Sequence, residues 1–206
     1  MYTQDQLYEF YKEFMKPRIQ KNIQEIRAIQ EEKGLQLKDA LLSRADRLFH
    51  KCIRQQQEGK KQPIRYIYFS WLNLSLLTGC YDIQINAFNE QSYMDKTESM
   101  ELWNPAFIME VFEKEMKELE SEGKKQVFRF GYPQMMELKK RTYPIYTMLA
   151  GQFILNHVED IAGLASFLEM EKAEGLQMVF GGYMDTGMQI WPKVQPEEKN
   201  VQEERK

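Results

Sequence analysis

Apolar residues recur at helical spacing through the first part of the chain. Leu7, Phe10, Tyr11, Phe14, Ile19, Ile23, Ile26 and Ile29 fall mostly three or four apart, which predicts a helix over residues 3 to 33 with one broad buried stripe. Thr3 followed by Gln6 fits a capping box at its start, and Gly34 fits a stop. Pro17 lacks an amide donor and predicts a kink or a break inside it. A second helix, over 36 to 58, carries Leu37, Leu41, Ala45, Leu48, Phe49 and Cys52 on its buried side and ends at Gly59. The short join at Gly34-Leu35 predicts an antiparallel helical hairpin over residues 1–59.

The period then changes from 3.6 to 2, and residues 64–90 read as a β-hairpin. Pairing Leu76 with Tyr81, Leu74 with Ile83, Leu72 with Ile85 and Ser70 with Ala87 makes one face apolar. The other face then pairs Ser75 with Asp82, Asn73 with Gln84, Trp71 with Asn86 and Phe69 with Phe88. A slip of one residue would set Leu74 against Asp82, so this register predicts a loop of two or four residues near Leu77-Thr78-Gly79-Cys80.

Helical spacing returns over 104–174. Asn104 caps, Pro105 opens and Gly123 closes a helix in which Ile108, Val111, Phe112 and Leu119 face inward. A short strand is expected over Gln126 to Phe130. Pro133 opens a short helix and Pro144 a longer one that ends at Gly175. Gly151 and Gly163 inside it imply close packing or a break near Asn156. Residues 176–191 read as a second hairpin around Asp185-Thr186-Gly187, with Gly187 in the left-handed position and Trp191 over Gly181. The tail from 193 to 206 is charged, poor in apolar residues and expected to be disordered. The expected fold is α+β over residues 1–192, mainly helical, with helices packed on a small antiparallel sheet built from two β-hairpins.

Composition adds boundaries to this picture. The 206 residues are 43% hydrophobic, enough for one sizeable core. The net charge of -3 gives no reason to expect nucleic acid, and Lys60-Lys61 and Lys124-Lys125 read as solvated loops. No apolar run approaches the ~20 residues that span a bilayer, and no signal peptide is visible, so no membrane and a cytoplasmic location are expected. Cys52 and Cys80 read as free thiols. The thirteen methionines fit core filling first and an adaptable binding surface second.

Candidate chemistry is thin, and the sequence names no cofactor. His157 and Asp160, three apart on a helix, could hold a metal or form a general base, which makes a metal-dependent hydrolase the least favoured alternative. The plainer reading is a polar break between helices. Whether the chain is an enzyme stays open. No Gly-x-Ser-x-Gly elbow is present, and Phe180-Gly181-Gly182-Tyr183 is followed by a turn and strand instead of a phosphate-binding helix. An aromatic and basic region from Phe128 to Tyr146 fits an anion site or a helix junction equally. Uncharged amides beside aromatic planes on the first hairpin, namely Phe69, Trp71, Asn73, Gln84 and Asn86, fit a polar organic ligand or a partner surface. The favoured expectation is a non-catalytic module that binds a protein partner or forms a homo-oligomer. A small-molecule sensor using that hairpin face is the alternative.

Overall fold

A computed structural model describes residues 4–127 and 129–192. The Thr3 cap and the tail from 193 to 206 lie outside the described residues. Helix α1 runs unbroken from Gln4 to Gln57, so the expected helical hairpin is corrected to one helix about 80 Å long. A glycine ends a helix by turning to positive φ, and Gly34 keeps a negative one. Good helix formers flank it, and buried Ile26 and Leu41 anchor the helix on either side. Pro17 is likewise carried within α1.

The first hairpin exists, with a different register. Strands β1 (Ile64–Trp71) and β2 (Ile83–Phe88) pair Phe69 with Ile85 and Ile67 with Ala87. Partner numbers sum to 154, where the apolar-face argument gave 157. The odd shift brings residues of the opposite parity onto each shared face. The cause is the leucine run. Instead of extending β1, Ser75–Thr78 coil into a helical turn, α2, closed by Gly79 in the left-handed conformation at φ 70°. The chain leaves the sheet at Trp71, whose carbonyl accepts the amide of Tyr183 at 3.0 Å.

Strand β3 (Met100–Trp103), not anticipated from the sequence, pairs antiparallel with β2. Strands β4 (Lys172–Gly182) and β5 (Gly187–Trp191) form the second hairpin. There Phe180 pairs with Met188, and Trp191 sits opposite Met178 instead of over Gly181. Met184, at φ 57°, takes the left-handed position expected of Gly187. The central strands β1 and β4 run parallel, joining both hairpins into one five-stranded sheet of order β3-β2-β1-β4-β5. The α+β expectation therefore holds, and the antiparallel sheet is corrected to a mixed one. A parallel pair needs a crossover, and the helices between β3 and β4 supply it.

Helix α3 (Ala106–Gln126) runs past Gly123, against which Phe130 packs, and no strand forms among the described residues of 126–130. Helix α4 (Tyr132–Asn156) has Pro133 in its first turn and carries Pro144 inside it, so the two helices expected from Pro133 and Pro144 are one. It ends at the expected break, after which α5 (Val158–Ala162) and α6 (Ala165–Glu169) follow. Gly151 is explained by close approach, since a Cβ there would strike the Phe180 ring.

The core lies between the helices and one face of the sheet. Phe69, Ile67, Ile85 and Met178 are fully buried there, and Trp103 stacks on Phe153 at 5.7 Å. Polar clamps tie the helices together. Glu115 accepts from Arg18 at 2.7 Å and from Asn22 at 2.9 Å, and Asn22 also donates to Tyr146. Burial pushes the Tyr146 phenol up to about 12. Tyr81 donates to Glu113, and burial together with that carboxylate raises its pKa well above the usual phenol range. Among the described residues no helix is long and apolar enough to cross a membrane.

Candidate functional site

Strand side chains alternate between faces, so half of the sheet's residues point away from the helices. Three rows cross that second face. The first holds Phe88, Tyr66 and Gln177. The second runs Met100, Asn86, Tyr68, Val179 and Gln189. The third runs Leu102, Gln84, Ser70, Gly181 and Gly187. Not one of these residues is charged, in a chain whose residues are 29% charged. Phe88 and Val179 are buried yet stand apart from the helix-side core.

Among the described residues a loop lies over this face. Between β2 and β3 the chain makes a 3-10 turn, Ser92–Met94, which lays Tyr93 on the sheet. Its ring stacks on Tyr68 at 5.1 Å and touches Phe88 at 5.1 Å and Tyr183 at 5.4 Å. Its hydroxyl meets Ser70 and accepts the Met184 amide at 3.3 Å, and burial raises its pKa. Tyr93 thus spans from Phe88 to Ser70, across the position of Asn86. The Asn86 side-chain carbonyl is buried there with no hydrogen-bond partner among the described residues. Two non-glycine residues at positive φ flank Tyr93: Ser92 at 53° precedes it in the chain, and Met184 at 57° meets its hydroxyl. Around it Met94 is 80% exposed and Met184 63%, making an apolar rim of flexible side chains.

The Tyr93 loop is held by a group the sequence reading misplaced. Lys60 is exposed, but Lys61 is buried and pairs with buried Asp95 at 2.8 Å. Lys61 also donates to the carbonyls of Ala87 and Thr97. Asp95 accepts the amides of Asn89 and Thr97 at 3.0 and 2.9 Å. Burial alone would raise the Asp95 pKa; the hydrogen bonds from Lys61, Thr97 and Asn89 outweigh it and hold the carboxyl low. The one available signal was Asp95 two residues before Thr97, which fits an Asx turn. Nothing in the sequence sends a lysine sixty residues into the chain to meet it.

The hairpin candidates separate. Gln84 and Asn86 lie on the open face. Phe69 is in the helix-side core, and Trp71 packs on Phe180 at 5.1 Å on that same side. Asn73 is exposed in the connection before α2. The register change accounts for the split, because Phe69 now shares a face with Ile85.

His157 and Asp160 do meet, with Nδ1 to Oδ2 at 3.2 Å. The next neighbour is a cation: the Lys38 ammonium lies 2.7 Å from the other Asp160 oxygen and holds the carboxyl below its usual range. No group of three metal-ligating side chains is found among the described residues. An ammonium bound to the carboxylate competes with a metal, and the cluster sits at the break after α4, tied back to α1 through Lys38. His50 is exposed and Cys52 buried, which keeps them apart. Cys80 is exposed, with its thiol 3.2 Å from the Asp82 carboxylate. In the basic region, Lys139 pairs with Glu113 and Arg141 with Glu137, as at a helix junction. The Gly181-Gly182 pair serves backbone crowding: a Cβ on Gly181 would lie 2.7 Å from the Gly187 Cα.

Compared with family models, curated proteins and solved structures, the chain matches none.

Proposed function

We propose that the chain is a non-catalytic binding module that docks a protein through the open face of its sheet. The observation that carries this reading is the uncharged composition of that face, with aromatic rings at its centre and exposed methionines at its rim. Interface centres are depleted in charge and enriched in aromatic residues and Met. Tyr68 and Tyr93 offer rigid area at little entropic cost, and Met94 and Met184 adapt to what lies against them. The experiment is photo-cross-linking from a benzophenone side chain placed at Met184, with Met148 as control. Met148 is 71% exposed on α4, in the helix layer. Protein adducts from 184 and none from 148 are expected; equal yields from both count against the reading.

A second reading is favoured by Asn86. Its buried, unpartnered carbonyl suits a small planar ligand that donates a hydrogen bond and stacks on Tyr68, with Tyr93 displaced. A thermal-shift screen of planar heterocycles tests it. Hits should vanish in Asn86→Leu, and hits that survive that substitution end the idea.

A further inference from the structure

We propose that the partner of this face is a second copy of the same chain, the two open faces meeting about a two-fold axis. This rests on the docking reading above and adds the occupant. In a two-fold contact the same patch serves both sides, so a charge near the axis meets its own like. A foreign partner imposes no such restriction around the centre of a contact, where such interfaces commonly use complementary charges for speed and specificity. Here charge is kept off the middle of the face and not off the strands: Arg65 lies over Tyr66 at the edge of the face, and on β3 Glu101 points to the helix side, where it lies 3.8 Å from Arg44, while Met100 and Leu102 point outward.

Hydrogen bonding makes the same point. The polar groups on the open face are chiefly amides, at Gln84, Gln177 and Gln189. An amide carries both donors and an acceptor, so it can satisfy its own copy. A carboxylate or an ammonium cannot. Size then sets the strength. Five strands at about 4.8 Å spacing, with the Tyr93 loop, offer on the order of 500 Å² per partner, less than the ~800 Å² of a standard interface. Association in the micromolar range is the expectation.

The test is mass by sedimentation equilibrium, up to about 200 µM, a range suited to a small interface. The samples are the full chain, Gln84→Glu, Gln84→Lys and an equimolar mixture of the two variants. The full chain should move from the mass of one chain to that of two. Each variant alone should associate at least tenfold more weakly, because its introduced charges are buried against each other. The mixture should recover, because opposite charges then share the interface. Met148→Glu should leave the dimer unchanged, and circular dichroism should show all variants folded. A chain that stays monomeric throughout, or a dimer indifferent to both Gln84 variants, overturns the inference. If the chain is monomeric while position 184 still cross-links a different protein, only the second-copy inference falls. If position 184 cross-links nothing, the docking reading falls with it.

Discussion

The two faces of the sheet are made by alternate residues of the same strands, yet they are built to different rules. On the helix side, Phe69, Ile85 and Phe180 form a continuous row, closed by Gly151 on α4. On the open side, the neighbouring positions are Tyr68, Asn86 and Val179, and their cover is one loop carrying Tyr93. The first row buys stability through burial. The second row is neutral, with only Tyr68 partly exposed and the buried Asn86 carbonyl unsatisfied, which costs stability unless something else meets it. Adjacent residues in the sequence therefore carry separable roles, one in folding and one in binding.

That separation can be broken at its strongest point first. Phe69→Ala should cost ~3–5 kcal/mol in denaturant unfolding, the usual loss for a buried ring. Tyr68→Ala, next to it on the half-exposed face, should cost about 1–2 kcal/mol; equal losses would erase the distinction between the faces. Next comes the anchor of the covering loop. Lys61→Met leaves Asp95 buried without its cation and should cost about 3 kcal/mol, with Tyr93 freed from the sheet. The pH dependence has a defined sign. The Asp95 pKa is depressed on folding, so its contribution is complete above the ordinary carboxylate value of about 4 and is lost as pH falls through the lower folded value. Acid unfolding of Lys61→Met should lack that component. The smallest effect belongs to Gln84→Glu, which should change stability by no more than about 0.5 kcal/mol while weakening association.

Much of this was legible in the residues, and what was not has physical causes. Helical periodicity marked the helical stretches of α1, α3 and α4, though it broke α1 at Gly34 and α4 at Pro144, and the polar run at Asn156-His157 located the break after α4. Four of the five strands were found, β3 was not, and the pairing was not either. Leu72, Leu74 and Leu76 alternate as a strand does, while Leu74 to Gly79 also satisfies a capped helical turn, and local alternation cannot choose between them. The choice was made by a distant contact, the Trp71 carbonyl held by Tyr183. The parallel pairing of β1 with β4 is equally non-local. Gln84 and Asn86 were recognised as surface candidates because amides in a strand are conspicuous. Tyr93 was passed over and Lys61 was read as solvated, because their importance comes only from where the loop folds.

The most direct test of the central claim is the comparison of cross-linking from positions 184 and 148, repeated in the Gln84→Glu background. The open-face account predicts adducts from 184 that disappear with Gln84→Glu, and none from 148. Adducts from 148 as abundant as those from 184, or adducts from 184 that ignore Gln84→Glu, would contradict it.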